Sequence, residues 1–213
     1  MTSNTLKSGD YSQSLNLTVF NEIKPKSTVL DIGCWTGNLG VALIEEKKCV
    51  VDGMDISSEG LKKAKSRGYR NTYLVNLNAE KIKIDSVVEK YDYILFADVL
   101  EHLINPELVL ELVRPLLRPK GRIIVSLPNV AFGLNRFNLL LGRWNYTEFG
   151  TLDKTHLKFF TITTGKNLLL RVGYKLIKVT PYNQFGFLRH LNFLNKICPG
   201  FFSYQFMLVA SKD

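Results

Sequence analysis

TVLDIGCWTGNLG, residues 28–40, carries the reading of this chain. Thr28, Val29, Leu30 and Ile32 make an apolar run suited to a buried strand; Gly33, Gly37 and Gly40 then interrupt it, and a helical pattern opens at Leu39. A strand that runs through a glycine turn into a helix presents backbone N–H groups to a ligand. Glycine lets that ligand come close and lets the turn take φ > 0. The spacing, Asp31-x-Gly33-x-x-x-Gly37, is not the Gly-x-Gly-x-x-Gly of dinucleotide folds. A second acid, Asp55, closes the apolar stretch VVDGMD (50–55), 22 positions after Gly33. An acid at the tip of a second strand can take two hydrogen bonds from a ribose diol. Glycine turns occur in many α/β proteins for structural reasons alone; the turn and Asp55 together point to a nucleoside-type ligand.

Outward from this stretch the chain alternates strands and helices. Before it, YSQSLNLTVFNEI (11–23) sets Leu15, Val19 and Ile23 on one helical stripe, with Tyr11 read as a packed tyrosine rather than a ligand contact. After it, Leu39, Ala42 and Leu43 are expected to face the sheet. A strand at 49–54 follows, then a helix capped by Ser57 that runs to about residue 66, and a strand at 72–75 whose exit reads Asn76-Leu77-Asn78. A strand at 93–97 places Ala97 and Asp98 at its carboxyl end, where open α/β sheets bind ligands. Asn105-Pro106-Glu107 reads as a helix start, with Leu108, Leu112 and Leu116 as its inward stripe. Gly121 turns the chain into a strand at 122–127. The connection 128–161 is too long for an idle loop and is rich in aromatic and basic residues, which predicts a lid with a short amphipathic helix over the active site. A helix at 163–171 and strands at 174–180 and 203–210 complete the pattern, without internal repeats.

The length of 213 residues, 46% of them apolar, suits one domain with a sizeable core. Three cysteines, Cys34, Cys49 and Cys198, form no disulfide framework, so a reducing, cytoplasmic location is expected. The start, MTSNTLKSGDYSQS, has no apolar signal core, and no apolar run approaches the ~20 residues of a membrane span. The net charge of +9 is unevenly spread: residues 1–112 hold 13 basic against 16 acidic residues, residues 113–213 hold 15 against three. That asymmetry predicts an anionic partner for the second half, against the plainer reading of a solvated basic face. No His, Cys or acid pattern has metal-ligand spacing, so no metal is expected.

On these motifs the chain resembles the class I S-adenosylmethionine-dependent methyltransferases. KYDYILFADVLEHL (90–103) is similar to that family's fourth strand and the turn after it, and LLRPKGRIIVSLPN (116–129) to its fifth strand with the lead-in. YTEFGTLDKTHLKFFT (146–161) resembles a segment of a bacterial subgroup near the MetW-like and UbiG-like methyltransferases. The resemblance implies one Rossmann-like, doubly wound α/β domain with seven strands in the order 3-2-1-4-5-7-6, the last antiparallel. Its parts would be a leading helix (1–27), a cofactor-binding core (28–127), a lid and substrate segment (128–161) and a C-terminal helix with two strands (162–213). S-adenosylmethionine would then lie with Asp31, Gly33, Cys34 and Gly37 at its methionyl end, Asp55 on the ribose, Ile56, Asn76 and Leu77 at the adenine, and Ala97 with Asp98 closing the near side. The family often carries an acid where Asn76 and Asn78 stand here; an asparagine can still accept a bond from the adenine amino group.

Methyl transfer from a sulfonium is an in-line displacement that positioning can largely accelerate. A base is needed when the acceptor is a hydroxyl or a protonated amine. His102, one turn beyond Asp98, and His156, beside Asp153, are the candidates, each also readable as a structural histidine. His190 is assigned no role, and Cys34 contributes backbone rather than a reactive thiol. Arg136, Arg143, Tyr146 and His156, with Lys154 and Lys158, are expected to flank the mouth and hold a phosphate or carboxylate. The expectation is O- or N-methylation of a small or sugar- or lipid-linked anionic acceptor by a monomer or homodimer. Alternatives are a catalytically silent partner protein that still binds S-adenosylmethionine, a nicotinamide enzyme, which the glycine spacing disfavours, and an RNA methyltransferase, for which no appended module is evident. The run 185–202 could rest on an anionic membrane surface.

Overall fold

The computed structural model describes residues 15–84, 86–183 and 192–212. Tyr11, Phe185 and His190 lie outside the described residues. The element order is α1 (Leu17–Glu22), β1 (Thr28–Ile32), α2 (Asn38–Lys47), β2 (Val50–Asp55), α3 (Ser58–Ser66), β3 (Thr72–Leu74), β4 (Tyr91–Ala97), α4 (Pro106–Val113), β5 (Leu117–Pro128), α5 (Gly133–Leu140), α6 (Ile162–Arg171), β6 (Lys175–Tyr182), α7 (Pro199–Phe202) and β7 (Gln205–Ser211). Short 3-10 turns at Leu100–His102 and Arg114–Leu116 flank α4. The seven strands form one sheet in the order β3-β2-β1-β4-β5-β7-β6. β1 to β5 pair in parallel; β7 runs antiparallel to both β5 and β6. Among the described residues no helix is long and apolar enough to cross a membrane.

Strand alternation divides the core between the two faces of the sheet. Leu30 and Ile32 of β1 turn to the face covered by α4 and α6, with Phe96, Val109, Leu110, Val125 and Leu168. Val29 turns to the opposite face, with Val19 and Phe20 of α1, Leu43 of α2 and Leu61 of α3. Helix signals act locally: Ser57 accepts from Gly60 N (3.0 Å), Asn105 from Leu108 N (3.1 Å), and Thr161 and Thr164 form a reciprocal box at the start of α6. Two expectations need correction. The buried face of α4 is Val109, Leu110 and Val113, with Leu116 beyond it, while Leu108 is exposed and Leu112 only half-buried. The helix is eight residues long and passes into a 3-10 turn, so a stripe extrapolated at helical spacing loses phase. β5 also begins earlier than Gly121 suggests, because Leu117 already pairs with Tyr91.

One buried charge ties three strands together. Asp52 is fully buried on β2, and its carboxylate accepts from Arg70 Nε (2.9 Å) and Nη2 (2.6 Å), Asn71 N (2.9 Å) and Tyr91 Oη (2.8 Å). Those partners lie before β3 and at the start of β4, so the ion pair aligns the sheet edge. Breaking such a pair strands the remaining charge. Asp52→Ala should therefore cost about 3–5 kcal/mol of folding free energy in urea titrations; a loss below about 1 kcal/mol would show the pair to be dispensable.

Candidate active site

The glycine turn is folded down onto the end of β2. Gly33, at φ +70, and Cys34 both donate to Met54 O, at 2.7 and 3.3 Å. Trp35, also left-handed at φ +48, donates its N–H to Asp55 Oδ2 (2.8 Å), and Ser57 N reaches Asp55 Oδ1 (2.7 Å). This corrects the expectation that the turn's amides are left for a ligand: those of Gly33, Cys34 and Trp35 clamp the turn to β2. What they present instead is Asp55, with each oxygen held by one backbone N–H and each retaining acceptor capacity.

The missing side chains of the turn are explained mainly by Tyr69. A Cβ at Gly37 or Gly53 would stand 2.6 or 2.8 Å from its ring, and one at Gly40 would collide with its hydroxyl. Tyr69 is buried there and donates to Asp31 Oδ2 (2.7 Å). Asp31 is itself buried; loss of solvent, partly offset by Tyr69 and reinforced by Asp55, raises its carboxyl pKa to about 6. Burial, with Asp31 and Asp55 nearby, also pushes the Cys34 thiol far up, so it is no nucleophile.

A cleft of about 320 Å³ opens between the carboxyl ends of β1, β2, β3 and β4. Of the expected cofactor residues, Gly33, Asp55, Ile56, Asn76, Leu77 and Asp98 line it; Asp31, Cys34, Gly37 and Ala97 are not part of its lining. Val75, Val99 and Leu103 add apolar wall, and Trp35, more than half exposed, stands at its edge; sequence reasoning missed all four as lining residues. Asn76 Oδ1 is already engaged by Asn78 N (2.9 Å). Asn78 acts as a clip: its Nδ2 donates to His102 O (2.9 Å) and its Oδ1 accepts from Ile104 N (2.8 Å), joining the exit of β3 to the loop after β4.

Beyond β4 the cleft meets a polar floor. Asp98 holds a left-handed φ of +56, its N–H facing Ser126 Oγ (3.2 Å) and its Oδ1 accepting from Gln205 Nε2 (3.2 Å). Burial raises its pKa. Asn16, the cap of α1, reaches the same place, donating to Tyr182 Oη (2.9 Å) and Ser126 Oγ (3.4 Å). His102 lines the cleft, with Nδ1 near Thr155 O (3.2 Å) and Oγ1 (3.3 Å). His156 is brought beside it, ring centroids 4.8 Å apart. Burial first, then His102, lowers its pKa. Glu101 is almost completely buried, with a carboxylate oxygen close to both rings, and burial followed by Asp98 holds its pKa well above the carboxylate range. The sequence lacked metal-ligand spacing; the fold assembles Glu101, His102 and His156, from two distant segments, into a group with ligand atoms within 4.8 Å of one another.

Of the expected anion-holding residues, His156 comes to the cleft beside His102, while Arg136, Tyr146, Lys154 and Lys158 do not line it. Arg136 donates to Ala131 O (2.6 Å) and Gly200 O (3.2 Å) and lies over the Phe201 ring. Lys154 pairs with Glu148 (2.6 Å), and Lys158 lines a separate depression with Glu107 and Arg171. Tyr146 is exposed beside Phe159.

The raised Asp31 pKa has a thermodynamic consequence. The folded chain binds this proton more tightly than the unfolded one, so the contribution is fully present below about pH 4 and is lost as pH rises through about 6. The shift corresponds to roughly 3 kcal/mol for the ligand-free protein. Asp31→Asn, which can still accept from Tyr69, should flatten the fall in urea midpoint between about pH 4 and 6. An unchanged slope would assign the pH dependence to other groups, Asp98 and Glu101 first.

Comparison with known proteins places this geometry. The chain matches the methyltransferase domain family over residues 9–179. It is 29% identical over 127 residues to the ubiquinone biosynthesis O-methyltransferase of Haemophilus ducreyi, covering 54% of this chain and 53% of that one. It is similarly 29% identical over 105 residues to that of Coxiella burnetii, covering 49% and 44%. The chain thus spans about half the length of these curated relatives. Among solved structures, an S-adenosylmethionine-dependent methyltransferase from Archaeoglobus fulgidus superposes with TM-score 0.64 at 18% identity, covering 91% of this chain and 90% of that one. One from Mesorhizobium loti superposes with TM-score 0.63 at 15% identity, covering 93% and 98%. With the family match, the strand order and the glycine turn in agreement, the chain belongs to the methyltransferase domain family and has the fold of S-adenosylmethionine-dependent methyltransferases.

Proposed function

We propose that the cleft takes S-adenosylmethionine with its ribose on Asp55 and its adenine between Ile56 and Leu77, and that the acceptor is an anionic, lipid-linked hydroxyl or amine compound delivered from a membrane surface. Residues 28–127 then form the cofactor half and 128–161 the acceptor half. Asp98, Gly33 and His102 lie around the reacting end, with Asp31, outside the lining, as a buried charge facing the methionyl amine. The relatives named for ubiquinone biosynthesis support an O-methylation of a small or lipid-linked molecule.

The observation that carries the acceptor reading is the inverted polarity of α5. Its inward positions are Gly133 and Asn135, the latter bonded to Val130 O (3.0 Å) and Thr151 Oγ1 (2.8 Å). Its outward positions are Leu134, Phe137, Leu139 and Leu140, the last 82% exposed, followed by exposed Leu141. Exposed apolar faces of this kind mark contact surfaces. Arg143, in the strongly basic second half, lies just past its end, as expected for a helix resting among anionic headgroups.

Two measurements separate the halves of this reading. Asp55→Ala should weaken S-adenosylhomocysteine binding in calorimetry roughly 30- to 100-fold, the loss of charge-assisted bonds worth about 2–3 kcal/mol; an unchanged Kd removes Asp55 from the site. In co-sedimentation, the protein should pellet with phosphatidylglycerol vesicles and not with phosphatidylcholine alone. Phe137→Asp with Leu140→Asp should abolish that association while leaving S-adenosylhomocysteine affinity unchanged. No association with anionic vesicles would rule out the membrane-delivered acceptor and leave a soluble one.

A further inference from the structure

We propose that Glu101, His102 and His156 hold a divalent transition-metal cation of the zinc class at the inner end of the cleft. Their ligand-capable atoms already lie within 4.8 Å of one another. Two features of the group are hard to explain by the protein alone. Glu101 is 1% exposed, and among the described residues neither carboxylate oxygen has a hydrogen-bond partner. His156 Nδ1 is buried and, among the same residues, equally unpartnered. A buried carboxylate without partners is costly, and the neutral acid would still leave a donor and an acceptor unpaired. A cation held by one ligand atom from each of the three residues would give the group the partner it lacks.

The surrounding structure fits that role. Glu101 and His102 come from the 3-10 turn after β4, and His156 from the segment before α6. The two segments are fastened by Glu101 O, which accepts from Leu157 N (2.8 Å) and Lys158 N (3.0 Å). His102 Nδ1 lies 3.2 Å from Thr155 O, and Thr155 is in turn held by Asp153 through its N–H (2.7 Å) and hydroxyl (2.6 Å). A backbone carbonyl on one imidazole nitrogen fixes the tautomer and frees the other as a ligand. Two imidazoles and one carboxylate suit zinc, iron, cobalt or manganese and not the oxygen-only preference of calcium or magnesium. Three protein ligands leave coordination positions open, and His102 also borders the cleft.

The use of the site, though not its existence, rests on the methyltransferase reading. An acceptor hydroxyl bound at an open position would lose its proton to solvent more readily. Its oxygen would then attack the methyl carbon, forming the O–C bond as the C–S bond breaks and the electron pair remains on the thioether sulfur. Neither histidine would then be needed as a base.

The test is calorimetric titration of tag-free, chelator-treated protein with Zn2+ alone, with Co2+ visible absorption as the spectroscopic readout. One Zn2+ per chain with micromolar or tighter affinity is expected, weakened at least about tenfold in both Glu101→Gln and His156→Ala. Zn2+ should also raise the melting temperature of the wild type and not of folded variants. Absence of stoichiometric binding, or binding undiminished in both variants, for example at exposed Cys198, would overturn the proposal. So would equal Co2+ spectra in wild type and variants. The titration contains no cofactor, so its outcome stands apart from that of the S-adenosylhomocysteine measurement.

Discussion

The hydrogen bond from Tyr69 to Asp31 is the interaction around which the cofactor half is arranged. It exists because Gly37, Gly40 and Gly53 leave a channel through which the tyrosine ring reaches the end of β1 from the far side of β2. That arrangement keeps a carboxylate inside the protein with a raised pKa, poised to gain when a cation arrives nearby. It also lets the turn after β1 lie flat on β2, where its amides hold Met54 and Asp55. The glycines are therefore required by the protein's own packing as much as by any ligand, and Asp55 is presented in one orientation because the turn is closed rather than open.

The other end of the cleft depends on a different kind of joint. The turn after β4 is bonded through Glu101 O to the segment that carries His156, and through His102 O to Asn78 after β3. Asp98, strained at positive φ, is tied across β5 to Gln205 of β7, while Asn16 joins α1 to Ser126 and Tyr182. Residues from seven separated parts of the chain thus set the shape of the reacting end. Such a site is built of polar groups that must all be satisfied together, which is why the atoms left without a partner among the described residues, on Glu101 and His156 and at Gln205 Oε1, carry information.

Much of this was legible in the sequence, and the reason is locality. Strand runs, caps and glycine punctuation act within a few residues, so the seven strands, the cap at Ser57 and the acid at Asp55 are found near where the pattern puts them. The failures share the opposite cause. The buried face of α4 depends on what docks against it, Tyr174 donating to Leu110 O (2.9 Å) among others, and a short helix cannot average out a phase error. Arg136 looked free to meet an anion because no acid stands near it in sequence; it is held instead by Ala131 O, five positions back, and by Gly200 O, 64 positions away. Tyr69 carries no signal at all in isolation, and Asn78 reads as an adenine contact rather than as a clip, because the importance of each lies in the gap it fills.

By itself the sequence determined the class of fold, the order of its elements and the positions of the glycine turn and its two acids, since these follow from periodicity and from residues that tolerate only certain backbone shapes. Tertiary structure alone decided which amides remained free, which helix faces were buried, where the basic residues ended up and that Glu101, His102 and His156 would meet. Those outcomes turn on contacts between segments far apart in the chain, and no local propensity encodes a distance across the sheet.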